Sequence, residues 1–296
     1  MDRIEDIEVF IAVAQRGSFT AAARQLNRSP TAVTRAVADL EARLGVRLLN
    51  RTTRAVSLTD VGERFLGGAQ RVLADLAEIE QAAAGQGSAP RGELAVTAPI
   101  LFGRLHVLPI VTEFLTAFPD VNARLLLLDR PVDLTEERLD AAIRIGALAD
   151  SSAIATRLGS LRRVVVASPD YLTRRGEPER LEDIVAHDVV MFGGLGRWEF
   201  GASALRVTPR LTVSTAEAAI DAVVAGLGLT RVLSYQAVDA LSRGLVVRVL
   251  DSYAPDEIPV HLLYPGGTHS PKLRAFIDRA VPQLRARLGA IEQALR

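Results

Sequence analysis

Ile4, Ile7, Phe10, Ile11 and Ala14 recur at helical spacing and the run stops at Gly17, which predicts a first helix and its end. Ser18 is placed to cap a second helix, Thr20 to Leu26, short and alanine-rich as a helix crossed closely by others must be. Asn27-Arg28-Ser29-Pro30 then reads as turn, N-cap and first-turn proline, because Ser29 can accept an orphan amide and Pro30 has none to offer. From Pro30 the apolar positions Val33, Val37, Leu40 and Leu44 face one way, and Gly45 ends the helix. Two short helices around a four-residue turn make a helix-turn-helix candidate over 19–38. In 46–58, two apolar runs flank a polar turn carrying Arg51, Thr53 and Arg54, the outline of a β-hairpin wing.

A longer helix follows over 60–84, with Thr59 or Asp60 as its cap and Asp60 and Glu63 at capping-box spacing. Phe65, Ala69, Val72, Leu76, Ile79 and Ala83 stand 4, 3, 4, 3 and 4 apart, the seam of a coiled coil, so this helix is expected to dimerise the chain. Residues 85–91 form a Gly/Ser/Pro linker. Beyond it, strands are expected at Leu94 to Ala98, Val121 to Leu128, Ala141 to Ile145, 161–168, 188–192, 210–213, 228–232 and 258–264. Helices are expected at Leu105 to Phe118, near Val132 to Arg138, and at 215–226, 234–242 and 271–292. That alternation predicts an α/β region, 92–296, with largely parallel sheets in two lobes. Lobe 1 would hold about 92–163 and 267–296, and lobe 2 about 164–266. The whole is an α+β multidomain chain: an all-α winged helix-turn-helix (1–59), a linker helix and a two-lobed α/β domain.

Composition narrows the chemistry. The chain has 296 residues with 35 basic and 35 acidic side chains, yet 24–54 holds seven arginines against Asp39 and Glu41, a net of +5. A basic block inside a neutral chain is the footprint of a nucleic-acid partner touching one module. On the predicted second helix of the pair, Thr31, Arg35, Ala38 and Ala42 lie opposite Val33, with Thr34 on the flank. Arg there can bond guanine in two places and Thr can bond a base or phosphate. With no cysteine, thiol chemistry and thiolate metal sites are excluded, and the four histidines lack metal-ligand spacing. No phosphate loop, dinucleotide fingerprint or nucleophile elbow is present, so no enzyme, metal or cofactor is expected. The acidic start and the shortness of the apolar runs predict a cytoplasmic protein without a membrane partner.

The run Phe10…Gly17-Ser18-Phe19-Thr20-Ala21-Ala22-Ala23…Leu26…Ser29-Pro30…Ala32-Val33-Thr34…Leu40-Glu41…Leu44-Gly45…Leu48-Leu49-Asn50-Arg51-Thr52-Thr53-Arg54…Leu58-Thr59…Gly62 resembles the DNA-binding domain of LysR-type transcriptional regulators. Thr34 stands where the family often has serine, and Leu49 where it usually has phenylalanine. Downstream, Leu108-Pro109…Phe118-Pro119, Leu139-Asp140-Ala141-Ala142-Ile143-Arg144-Ile145-Gly146 and Ala225-Gly226-Leu227-Gly228-Leu229 resemble the effector-binding domain of that family, a type 2 periplasmic-binding-protein-like fold.

The resemblance implies a regulator that binds double-stranded DNA at a pseudo-palindromic promoter site through Ser29, Pro30, Thr31, Thr34, Arg35, Arg51, Thr53 and Arg54. It implies a homodimer or homotetramer held through Phe65, Ala69, Val72, Leu76 and Ile79, with RNA polymerase as a further partner if it activates. A small acidic or aromatic effector would lie between the lobes, near Thr97, Ala98, Pro99, Phe102, Arg144, Gly146, Ser214, Thr215 and Arg231. Trp198 is a second aromatic candidate. The rival reading is a cytosolic solute-binding protein or enzyme of the same fold without a regulatory role, against which the 1–62 motif speaks.

Overall fold

The first unit, Met1–Glu93, comprises α1 (Arg3–Arg16), α2 (Phe19–Gln25), α3 (Pro30–Leu44), β1 (Leu49–Arg51), β2 (Val56–Leu58) and α4 (Asp60–Ala83). The computed structural model describes residues 3–51, 56–83, 89–148, 153–193, 196–201, 203–253, 257–267 and 269–295. Phe10, Val13, Val33, Val37, Leu40 and Leu48 close the core of this unit. Ala22 and Ala23 are buried in α2, where their small side chains let α1 and α3 approach. β1 and β2 pair antiparallel, Leu49 opposite Leu58, so the unit is helical with one two-stranded wing.

The second unit, Leu94–Arg296, adds β3 (Gly92–Ala98), α5 (Ile100–Phe102), a π-helical turn (Gly103–Val107), α6 (Leu108–Ala117), β4 (Val121–Leu127), β5 (Ala141–Ile145), β6 (Ile154–Leu161), β7 (Arg163–Ala167) and α7 (Pro169–Arg175). There follow β8 (Val190–Phe192), β9 (Arg197–Phe200), β10 (Ser203–Arg206), β11 (Leu211–Val213), α8 (Ala216–Val224), β12 (Leu229–Leu233), α9 (Ser234–Ser242), β13 (Val247–Val249), β14 (Ile258–Tyr264) and α10 (Pro271–Gln293). A five-stranded sheet runs β4-β3-β5-β14-β6, and a three-stranded one β12-β7-β13. The parallel pair β8–β11 joins the latter through a bridge between Val189 and Leu229.

Three expectations are corrected here. The sheets are mixed: β14 runs antiparallel to β5 and β6, and β7 antiparallel to β12 and β13. The return from lobe 2 also comes earlier than 267, because β14 lies in the first sheet, with Val260 and Leu262 buried in its core. Alternation shows which face of a strand is buried but not which sheet it joins. Near Val132 to Arg138 the chain makes turns, not a helix. The strand β6, the hairpin β9–β10 and β13 were not foreseen, being short or edge-like with few apolar residues. The helical stretch Ile100–Ala117 is apolar and long enough to cross a bilayer, but it is a core helix: Leu101, Phe102, Val107, Ile110, Val111 and Phe114 are buried.

Candidate functional site

In the first unit the two helices meet through side chains the turn itself supplies. Ser18 caps α2, its hydroxyl accepting from the Ala21 amide at 3.3 Å. Asn27 takes φ +51, the left-handed conformation that a short polar side chain tolerates, and turns the chain toward α3. Ser29 caps α3 through the Ala32 amide at 3.1 Å, and Pro30 occupies its first turn. Val33, Ala36, Val37 and Leu40 are buried, which leaves Thr31, Thr34, Arg35, Ala38 and Ala42 as an exposed stripe. Arg35 is 80% exposed and, among the described residues, pairs with Asp39 one turn on, at 3.8 Å. The Thr34 hydroxyl donates to the Pro30 carbonyl at 2.9 Å.

Neighbouring charges sort the arginines. Arg28 is held by Glu5, and Arg43 by the buried Asp6 at 3.0 Å. Arg24, Arg35 and Arg47 are exposed, which leaves cationic groups on and beside the stripe. In the wing, Arg51 pairs with Val56 through its backbone. Thr53 and Arg54 lie outside the described residues, as does the Arg51 side chain.

The predicted seam of α4 is divided. Phe65 stacks edge-on against Phe10, ring centres 5.4 Å apart, and Ala69 is buried, so both pack within their own unit. Val72 is 60% exposed and Leu76 half-buried. The Ile79 side chain lies outside the described residues. Phe65 is therefore corrected from a partner-facing to an internal position: its large ring fills space above α1, which heptad spacing alone does not reveal.

In the second unit, several residues expected to meet an effector are otherwise engaged. Phe102 is fully buried, stacked on His106 and Tyr235 with ring centres 4.8 and 5.3 Å away. Arg144 turns to the loop beyond β4 and donates to the carbonyls of Val132 at 3.2 Å and Arg130 at 3.4 Å. Arg231 lies against the β9–β10 hairpin, donating to the Glu199 carbonyl with its guanidinium 4.8 Å from the centre of the Phe200 ring. Burial beside Arg163 pulls its pKa down to about 10. Trp198 is buried in the same hairpin core. Each of these four has the residue type of a ligand contact, and the topology gives each a structural partner. Thr97 and Ala98 are fully buried, the Thr97 hydroxyl without a hydrogen-bond partner. Gly146 makes a left-handed turn at φ +115 and donates to the Pro259 carbonyl. Thr215 caps α8 through the Ala218 amide at 3.2 Å, and Ser214 before it is exposed.

What does meet across the two lobes is a different set. Arg104 in the π-turn faces Glu217 in the first turn of α8 at 3.5 Å. Asp129 accepts from the Ile100 amide at 3.0 Å, and the Tyr235 hydroxyl bonds the Phe102 backbone. The Ile100 amide that opens α5 is thus already bound within the chain. Burial, reinforced by Asp129 and Glu217, raises the Tyr235 phenol above its usual range, so it stays neutral. Burial also holds His106 down to about 4, assisted by Arg287, so the imidazole is neutral near pH 7.

Residues 4–63 match the bacterial regulatory helix-turn-helix protein family named for LysR, and residues 87–285 match the LysR substrate binding domain. A transcriptional regulator of the helix-turn-helix type from Xanthomonas campestris is 35% identical over 95% of this chain and 85% of its own length. The regulator PgrR of Escherichia coli is 32% identical over 94% of this chain and 97% of its own. Among solved structures, the LysR-type regulator CrgA of Neisseria meningitidis is 30% identical, covers 98% of each chain and superposes with a TM-score of 0.55. The Vibrio cholerae virulence activator AphB gives 26% identity, 95% and 99% coverage, and a TM-score of 0.61.

The chain belongs to the LysR family. It is a transcriptional regulator with a helix-turn-helix DNA-binding domain and an effector-binding domain, not an enzyme. The family binds DNA and small-molecule effectors and oligomerises. Glu41 and Gly62 of this LysR domain carry architecture that sequence reading did not assign, and Thr59 is one of its two candidate caps for α4. The Glu41 carboxylate accepts both the Leu48 and Leu49 amides, at 2.8 and 3.0 Å, and so fixes the start of the wing to α3. Thr59 caps α4 at the Gly62 amide and donates to the Arg47 carbonyl, both at 2.9 Å. Gly62 lies so close to the Leu48 carbonyl that a Cβ would stand 2.0 Å from its oxygen. Glu41 as one of only two acidic residues in the basic block 24–54 was the available signal; Gly62 left none beyond its being glycine inside a helix.

Proposed function

We propose that α3 is the base-reading helix and that this regulator binds a pseudo-palindromic promoter site as a homodimer or homotetramer. The observation that carries it is the exposed stripe of Thr31, Thr34 and Arg35 on a helix whose opposite face is fully buried. Arg35 reads a base, most favourably guanine, and Thr31 and Thr34 contact bases or phosphates at the N-terminal end. Ser29 and Pro30 bring the start of α3 to the backbone, and Arg51, Thr53 and Arg54 of the wing hold phosphates or a narrow minor groove. Val72 and Leu76, with Ile79, supply the pairing surface of α4. The protein works in the cytoplasm and, when it activates, contacts RNA polymerase.

The effector is a small acidic or aromatic molecule held between the lobes, beside Pro99 and the Ser214-Thr215 start of α8. Arg104 takes the role of counter-charge first assigned to Arg144 and Arg231. Binding there exchanges the Arg104–Glu217 pair for a ligand contact, and so couples lobe angle to the spacing of the paired DNA-binding units. Such coupling is typically about 1–3 kcal/mol. The test is genome-fragment selection followed by footprinting with the full-length protein. A protected two-fold site, lost when its half-sites are moved by half a helical turn, supports the reading. Equal protection of unrelated fragments overturns it.

A further inference from the structure

A cavity of about 260 Å³ sits where the backbone crosses from the first sheet to the second. Leu161 ends β6, Val164 lies in β7, and both line it. Its other walls come from each side of the crossing: Ser234 at the start of α9, Arg248 on β13, Ile291 in the last turn of α10 and Leu295 just beyond it. It shares no lining residue with the Arg104–Glu217 region. Beside it Leu250, a branched residue, holds φ +60 and turns the chain from β13 toward Asp251. A non-glycine side chain in that conformation is uncommon and costs energy, so the surrounding packing must enforce the turn.

The lining has three kinds of surface. Leu161, Val164, Ile291 and Leu295 are apolar. Arg162 and Arg248 are cationic, the first lying 3.3 Å from Glu257 and the second 3.2 Å from Asp251. Asp251 and Glu292 are acidic. A guanidinium has five donors, so one already held by a carboxylate can still receive a second. A simple anion entering here meets two arginines but also two carboxylates. A molecule carrying both charges on one end and an apolar body on the other matches all three surfaces. The cavity has room for a molecule of roughly amino-acid size.

We propose that this crossover cavity binds a small apolar α-amino acid, its carboxylate on Arg162 and Arg248, its ammonium toward Asp251 and Glu292, and its side chain against Leu161, Val164 and Ile291. Because the walls belong to both lobes, the occupant fixes the angle between them from the side of the crossing strands. It is a second ligand site and does not depend on which molecule the other cleft takes.

Isothermal titration of the full-length protein with L-leucine, L-isoleucine and L-methionine tests it, against 4-methylpentanoate, which lacks the ammonium, and 3-methylbutylamine, which lacks the carboxylate. The expected result is saturable binding of at least one amino acid, with both truncated compounds weaker by about tenfold or more. Arg162→Gln should weaken binding by at least about tenfold. Leu295→Trp, which fills the cavity from a half-exposed position near the end of the chain, should abolish it. Ser214→Trp, on the other cleft, should retain it. Should Arg162→Gln fail to fold, Leu295→Trp decides. The proposal is overturned by no saturable heat up to about 10 mM ligand, by unchanged binding in the folded cavity variants, by equal affinity for 4-methylpentanoate, or by loss in Ser214→Trp alone.

Discussion

Arg35 and Arg43 lie on one helix and have opposite surroundings. Arg43 is drawn to the buried carboxylate of Asp6, whereas Arg35 projects into solvent from the stripe opposite Val33. Arg35→Ala should therefore cost about 1–3 kcal/mol on the cognate site and relax preference at one base position. Arg54→Ala in the wing should weaken every sequence alike and reduce the salt slope by about one. Salt-dependent fluorescence titrations on cognate and scrambled duplexes measure both, and an unchanged ratio in Arg35→Ala sinks the base-reading role. A second residue-scale effect concerns His106. Its pKa is about 4 in the folded chain against 6.5 unperturbed, so the unfolded state binds more protons between those values. Its contribution is complete above pH 6.5 and is lost as pH falls toward 4. His187 and His261 are lowered by burial as well and add to the same acid loss. His106→Phe keeps the ring against Phe102 and Tyr235 and should flatten the fall of Tm over that window without removing it. Identical pH profiles would show that His106 is not linked to folding.

At the scale of elements, α4 serves two surfaces at once. Its first turns dock on the helix-turn-helix through Phe65 and through the close approach of Gly62 to the Leu48 carbonyl. Gly62→Ala forces backbone apart, because the obstructing atom is a carbonyl and not the end of a flexible side chain. A loss of about 1–3 kcal/mol or more from the first unit is expected, read as a lower thermal transition with the second unit unchanged. Farther along, Val72 is exposed and Leu76 half-buried. Leu76→Glu places a charge in the proposed helix pair and should shift sedimentation to smaller species, abolishing binding to a full palindrome before a half-site. An unaltered oligomer would mean that α4 packs only on its own chain.

For the whole molecule, two units with separate cores suggest two unfolding events, since cooperativity follows shared packing. Cognate DNA at about 100 times its Kd should raise the transition of the first unit by about 2.7 kcal/mol and leave the other nearly in place. Calorimetry that shows one transition moved entirely by DNA would contradict this.

The helix-turn-helix was legible in sequence because its signals are local: Ser18, Ser29, Pro30 and Gly45 act on amides and dihedrals within a few residues of themselves. The heptad arithmetic of α4 was equally visible, but whether Phe65 faces a partner or Phe10 depends on what lies across from it. The same limit governed the effector domain. Its strands β3, β4, β5 and β14 declare themselves by apolar runs, and the family resemblance supplied the fold. No local rule, however, says that β14 enters the first sheet, that Arg144 turns to loop carbonyls, or that Arg231 is covered by a hairpin. Sequence by itself determined the helix-turn-helix, the longer helices and strands, the basic block and the family, since propensity, capping and charge are properties of short stretches. Tertiary structure alone decided which arginines are free, which faces are covered, and that Arg104 and Glu217, 113 positions apart, meet between the lobes, because those facts depend on what distant segments bring into contact.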